Sequence, residues 1–199
     1  MKSLRSIRVI FYFLFLSFTA PAEGFTSTSG FHEFLIAQTV RDVDAPAEIT
    51  WNVVKEVTNY NEMSQGKIRA KAPQLENGQP IDLWITLSGL FRPFGHSKEV
   101  IYGLNDPEMR IAWIRKVNFL GKDYQNDPEG WVQNYSQRWQ WVVSTGPHSS
   151  RYFGYLAVPG AVGQFTQIQL KDDIQEAFDA LADGIQKEAE KNGFSQTPT

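Results

Sequence analysis

The feature that most constrains this chain is a series of strand-period segments that ends in one long stripe of helical period. Residues 81–88 begin Ile81-Asp82-Leu83-Trp84 and alternate apolar with polar or amphipathic side chains, which is typical of a strand whose two faces have different surroundings. Similar segments recur, separated by turn sequences such as Asn77-Gly78 and Asn105-Asp106-Pro107. Short connections of this kind favour an antiparallel meander. The predicted strands lie at 34–40, 67–72, 81–88, 98–102, 109–117, 135–143 and 151–158.

Two helices are predicted on either side of the meander. The first follows Asp44 and has Pro46 in its first turn, a position that suits the fixed φ of proline. The last is long, from about 168 to 191, with Gly193 as a stop signal. Because an apolar stripe must be buried against the sheet, the fold class is α+β. The stripe consists of Ile174, Ala177, Phe178, Leu181, Ile185 and Ala189.

Residues 1–22 have the three-part pattern of a secretory signal peptide. Basic residues precede the apolar run 9–18, and Ala20 and Ala22 form a small-x-small site. The run is shorter than the roughly 18–20 residues that span a bilayer. We therefore expect cleavage, a flexible segment at 23–32, and no membrane span afterwards. The alternative is an uncleaved membrane anchor.

Composition excludes several classes of function. The chain has no cysteine, which removes disulfides, thiolate catalysis and zinc–thiolate sites. An exported chain without cysteine suggests the bacterial periplasm or secretion. With 19 basic against 22 acidic residues, the balance argues against nucleic acid as a partner. His32, His96 and His148 are scattered, and no nucleophile elbow, phosphate loop or dinucleotide fingerprint is present. We expect neither a metal nor a cofactor.

Particular motifs resemble those of the START/polyketide-cyclase/birch-allergen superfamily (SRPBCC). The segment 43–51 (VDAPAEITW), followed by Asn59, Tyr60 and Met63, is similar to the opening strand, turn and helices of that family. The segment 138–141 (RWQW) and the last predicted helix match its final hairpin and helix. The resemblance covers 33–191, leaving 192–199 as a tail. It implies a helix-grip fold, in which a curved seven-stranded antiparallel sheet surrounds a long C-terminal helix.

The resemblance also implies an interior cavity, since family members bind lipids, sterols, polyketides or hormones there. Large aromatic side chains combine apolar area with a polar tip, which suits the walls of such a cavity. A strand arginine that points inward would pair with a carboxylate or phosphate head group. A solvent-facing position is the favoured alternative for Arg115, Arg138 and Arg151. For Arg138 it is further supported by shared parity with Ser136 and Gln140. The candidate cavity residues are Trp113, Trp139, Trp141, Tyr155 and Phe178, with Arg115 as a polar group.

Three functions remain open at this point. The favoured one is an exported binding or carrier protein for a hydrophobic small molecule, either a lipid or an aromatic, polyketide-like compound. The second is an enzyme of the polyketide cyclase/aromatase type, which would require an inward acid–base pair that the sequence does not locate. The third is a protein-interaction module in which the aromatic residues simply fill the core.

Overall fold

A computed structural model describes residues 33–89, 95–115 and 136–194. The predicted signal peptide, the segment 23–32 and residues 195–199 lie outside the described residues. So do the segments 90–94 and 116–135. Within the described ranges, no helix has the length and apolar character needed to cross a membrane.

The described strands form one curled antiparallel sheet of seven, as the sequence predicted. Their order is β1-β7-β6-β5-β4-β3-β2, so the first strand pairs with the last and every other neighbour is a sequential pair. The sheet therefore has β1 and β2 at its edges. The strands are β1 (Glu33–Val43), β2 (Ile68–Lys71), β3 (Pro80–Ile85), β4 (His96–Ile101), β5 (Arg110–Arg115), β6 (Gln137–Gly146) and β7 (Ser149–Pro159).

The helices lie between β1 and β2 and after β7. Helix α1 (Ala47–Lys55), a 3₁₀ turn (Val57–Asn59) and α2 (Tyr60–Met63) form the first group. Helices α3 (Gly160–Gln169) and α4 (Lys171–Phe194) form the second. The single helix predicted from about 168 to 191 corresponds to α4, and the preceding helix α3 was not predicted.

Backbone geometry marks both ends of α3. Gly160 follows Pro159 with a φ of +62°, a conformation that glycine adopts without steric penalty, and α3 starts there. Leu170 then leaves helical geometry at φ −126°, and α4 begins at Lys171.

The predicted stop at Gly193 is wrong, because α4 continues through it to Phe194. A Cβ on Gly193 would lie 3.1 Å from the Ala45 Cβ, so this glycine serves close packing.

The core lies between α4 and one face of the sheet, which we call the inner face. The α4 stripe is buried as predicted, with Ala177 and Ile185 completely inaccessible. It shares one cluster of buried residues with Ile111, Trp113 and Tyr152 on the sheet. The neighbours of Trp113 along β5, Ala112 and Ile114, are buried but lie outside that cluster, on the outer face.

A polar seam attaches α4 to the edge strand β1. The Gln175 amide accepts from the Gln38 backbone N–H (3.1 Å) and donates to its carbonyl (2.9 Å). One helical turn further, Asp179 accepts from the Thr39 hydroxyl at 3.0 Å, and Asp183 lies 2.6 Å from the Arg41 Nε. This seam satisfies backbone groups on an edge that would otherwise be open to another strand.

Candidate ligand-binding site

Strand β6 presents its polar residues to α4 and its large aromatics to the opposite side. The Arg138 guanidinium lies 5.1 Å from the centre of the Phe178 ring on α4. Gln140 is bonded to Tyr60 in α2, so both residues are on the inner face. Trp139 and Trp141 alternate with them and lie on the outer face. The prediction that Arg138 faces outward is wrong, because its side chain is only 6% exposed.

Arg138 forms a buried ion pair with a carboxylate two strands away. Its Nη2 lies 3.5 Å from Glu99 Oε1, and the Glu99 side chain is equally buried. The Ser97 hydroxyl donates to the same carboxylate at 2.6 Å. Burial lowers the pKa of Arg138, while the Glu99 charge acts in the opposite direction. Since a guanidinium is not deprotonated in proteins, the interior holds a neutralised pair of charges.

Two tyrosines and a glutamine continue this polar cluster. The Tyr60 hydroxyl lies 2.7 Å from the Val54 carbonyl oxygen and 3.1 Å from Gln140 Oε1. The Tyr152 hydroxyl donates to the same Gln140 oxygen at 3.0 Å. Burial raises the pKa of both tyrosines well above its ordinary value, so both hydroxyls are protonated at neutral pH. They are therefore hydrogen-bonding groups and poor bases.

Two buried N–H groups of this cluster have no hydrogen-bond partner in the part of the chain that the structure describes. They are Trp113 Nε1 and Arg138 Nε. Trp113 and Arg138 are directly paired across strands β5 and β6, on the same inner face. A buried donor without a partner costs about 1–3 kcal/mol, so these two N–H groups on neighbouring residues are candidates for contact with an acceptor on a ligand.

The predicted site residues divide between the two faces of the sheet. Trp113 and Phe178 are on the inner side, close to Arg138. Trp139, Trp141 and Tyr155 are together on the outer face, where Trp141 stacks on Phe153 at 4.9 Å and meets the Tyr155 ring edge-on at 5.7 Å. Trp139 donates to Gln137 Oε1 at 3.3 Å.

The two strand arginines named from the sequence are not part of the buried cluster. Arg115 is exposed at the end of β5. Arg151 is exposed and forms an ion pair with Asp42 at 2.6 Å, in agreement with its predicted outward position.

Sequence reasoning missed the residues that make the interior polar: Glu99, Gln140, Tyr60 and Tyr152. Of these, Tyr60 is marked in the sequence only as part of the family-like opening segment. The sequence offers one signal, the alternation of Arg138 and Gln140 with Trp139 and Trp141 in β6. The alternation shows that the two pairs lie on opposite faces, but it does not show which face is inner. The large apolar area of the tryptophans favours the wrong choice.

An open hollow of about 210 Å³ lies at the junction of α3 and α4. Its walls are polar, and its Asp173 carboxylate already accepts from the Ser88 N–H and hydroxyl at 2.7 and 2.8 Å. These bonds lower the pKa of Asp173. The hollow is lined by Ser88, Gln167, Ile168, Gln169, Lys171, Asp172 and Asp173, and it does not include the buried cluster.

The sequence matches no protein-family model and no curated protein. Solved structures are similar to it in fold. Norcoclaurine synthase from Thalictrum flavum, in complex with dopamine and hydroxybenzaldehyde, has a TM-score of 0.56 at 15% identity, over 85% of this chain and 91% of that one. A protein from Thermus thermophilus has a TM-score of 0.55 at 11% identity, over 81% and 99%.

A third similar structure is the Zhui aromatase/cyclase from Streptomyces sp. R1128. Its TM-score is 0.50 at 15% identity, over 81% of this chain and 96% of that one. Identities this low establish the architecture and leave the activity open. Together with the seven-stranded sheet around α4, they show that this chain has the helix-grip α+β fold.

Proposed function

We propose that this protein is an exported binder or carrier of a hydrophobic small molecule, held between the inner face of the sheet and α4. The observation that carries the proposal is the pair of buried N–H groups, Trp113 Nε1 and Arg138 Nε, that have no hydrogen-bond partner among the described residues. They lie where the polar cluster meets the hydrophobic core. Buried polar groups in a filled core are normally hydrogen-bonded. A ligand that supplies the missing acceptor removes this penalty.

Native mass spectrometry of protein purified from its own host tests this proposal. We expect a bound small molecule that is released on denaturation, and saturable binding of an uncharged fluorescent fatty-acid ester or a naphthalene dye. A chain with no bound molecule and no affinity for these probes would contradict the proposal and favour an interaction module with a filled core.

A cyclase/aromatase-type enzyme is the second candidate, favoured by the buried Glu99 beside Arg138 and Ser97. This is an inward acidic group of the kind that the sequence alone did not locate. Against it, Glu99 is engaged by both neighbours, and Tyr60 and Tyr152 are protonated. Turnover of a polyketide-like substrate that is abolished by Glu99→Gln, and kept by the exposed control Asp42→Asn, would favour the enzyme.

Export is the remaining part of the proposal and rests on the N-terminal pattern. We expect that expression of the full chain in a bacterium releases a periplasmic or secreted form that starts at Glu23. The intact mass of the fractionated protein measures this directly. Full-length protein retained in the membrane fraction would instead indicate an uncleaved anchor.

A further inference from the structure

We infer that Trp113 Nε1 and Arg138 Nε together bind the oxygen of a neutral carbonyl group on an apolar ligand. This inference rests on the proposed function and specifies the chemical class of its ligand. Three properties of the buried cluster support it: the position of the two donors, the hydrogen bonds already made around them, and the balance of charge.

The two donors belong to residues that are neighbours across the sheet. Trp113 on β5 and Arg138 on β6 are directly opposite each other in an antiparallel pair, where side chains on one face stand about 4.5–5.5 Å apart at Cβ. Trp113 is completely buried, and Arg138 is 5% exposed. Since the Arg138 guanidinium lies over the Phe178 ring, the donors are between the sheet and α4.

Two acceptor oxygens near them, Glu99 Oε1 and Gln140 Oε1, already have donors. Glu99 is held by Arg138 Nη2 and by Ser97, and Gln140 Oε1 lies within hydrogen-bond distance of both tyrosine hydroxyls. An indole N–H and a guanidinium N–H donate and cannot accept. The ligand group next to them must therefore be an acceptor, and a carbonyl oxygen has two lone pairs for two donors.

The charge balance distinguishes a neutral acceptor from an anion. The positive charge of Arg138 is already neutralised by Glu99 at 3.5 Å. A carboxylate added to this pair would leave one uncompensated negative charge in a site shielded from water, which is strongly unfavourable. A ketone, aldehyde, ester or amide adds no charge. This revises the sequence-based expectation that an inward arginine pairs with a carboxylate or phosphate.

Three naphthalene probes that differ in one group test the inference on the full chain: 2-acetylnaphthalene, 2-naphthoate and 2-ethylnaphthalene. We expect the ketone to bind more tightly than the carboxylate. We also expect the C=O stretch of ¹³C-labelled 2-acetylnaphthalene to shift to lower wavenumber in the complex, because a hydrogen-bonded carbonyl is weakened.

Trp113→Phe removes one donor and keeps an aromatic side chain. The ratio of ketone to hydrocarbon affinity should then fall roughly three- to tenfold, as for one lost hydrogen bond, and part of the infrared shift should disappear. Trp139→Phe is the matched control, since Trp139 lies on the same sheet but on its outer face, bonded to Gln137. It should change neither quantity.

Each other outcome has a separate meaning. An unshifted carbonyl stretch, with an affinity ratio that Trp113→Phe leaves unchanged, would show that water occupies the two donors and would overturn the inference. Tighter binding of 2-naphthoate than of the ketone would overturn it in favour of an anion site. Both results leave hydrophobic binding intact, whereas failure of all three probes to bind native protein would contradict the proposed function itself. The comparison of probes on the native chain does not depend on how well the variants fold.

Discussion

At the scale of single residues, the main feature of the inner face is the buried charge of Arg138. Its guanidinium is buried beside Glu99 and over the Phe178 ring. Moving a single charge from water into such a place is costly, so each member of the pair is tolerated because the other is present. A buried pair of this kind therefore adds little net stability to the fold, although loss of either partner alone is costly.

Changing one partner of this pair should be more damaging than changing both. We expect Arg138→Met alone to lower the free energy of unfolding by about 3–5 kcal/mol, because Glu99 is left buried without its counter-charge. The double variant Arg138→Met/Glu99→Leu should recover most of that loss. Urea denaturation of the native, single and double variants measures this. A double variant as unstable as Arg138→Met would show that the two side chains do not interact.

Asp106 gives the protein a defined acid sensitivity. Its carboxylate accepts from Lys55 at 2.9 Å and from the Trp51 indole at 2.7 Å, and these bonds lower its pKa in the folded protein. A carboxyl with a lowered folded pKa stabilises the protein above its unfolded pKa of about 3.9, and this contribution is lost as pH falls through the folded value.

Asp106→Asn should therefore reduce the acid-dependent loss of stability below about pH 4. The change will be small, because the carboxylate is largely exposed and screened by solvent. Urea midpoints between about pH 2.5 and 6 measure it, a range that brackets the ordinary carboxyl pKa. Asp172→Asn, on the exposed part of α4, is the control. If the urea midpoints of native protein and Asp106→Asn fall equally as the pH is lowered, this carboxylate does not have the proposed role.

At the scale of elements, α4 positions the short helix that carries Tyr60. A Cβ on Gly184 would overlap the backbone carbonyl of Met63, at the end of α2. Only glycine lets the two helices approach this closely. The contact sets the position of α2 beneath the sheet, and the Tyr60 hydroxyl then reaches Gln140.

Gly184→Ala should accordingly destabilise the protein. Alanine normally stabilises a helix by about 1 kcal/mol relative to glycine. Without the contact to α2, Gly184→Ala would therefore raise the free energy of unfolding. With it, we expect a loss of about 1–3 kcal/mol from overpacking against rigid backbone. Thermal or urea unfolding measures the sign. Lys187→Ala, exposed on the same helix, should be close to neutral, and a stabilised Gly184→Ala would disprove the close approach.

At the scale of the whole molecule, one sheet and one helix enclose the candidate site. The pairing of β1 with β7 brings the first and last strands together, and the Gln175–Asp183 seam attaches α4 to that edge. Ligand binding and folding are therefore linked, since a molecule held between sheet and helix binds only the folded chain.

This linkage predicts a measurable stabilisation by the ketone probe. With 2-acetylnaphthalene at about 100 times its Kd, the free energy of unfolding should rise by about 2.7 kcal/mol, and the urea midpoint should rise with it. The same total concentration of 2-naphthoate should produce a smaller rise. A midpoint that does not respond to a ketone shown to bind would place that binding outside the enclosed interior.

How much of this was predictable from sequence differs between the elements and the site. The seven strands followed from alternation and turn residues, and the α4 stripe from its spacing of three and four. The separate helix α3 was missed, because the backbone of Gly160 and Leu170 decides it. Of the predicted cavity residues, Trp113 and Phe178 lie at the buried cluster, whereas Trp139, Trp141 and Tyr155 lie on the outer face.

The sequence by itself determined the strands, the amphipathic helix and their class of fold, because hydrophobic period is a local property of the chain. The tertiary structure alone decided which face of β6 is inner. Arg138 and Gln140 are buried there because their partners come from distant segments: Glu99 is 39 residues from Arg138, and Tyr60 is 80 residues from Gln140. A polar side chain is buried only where such partners converge, and that convergence exists only once the sheet has curled around α4.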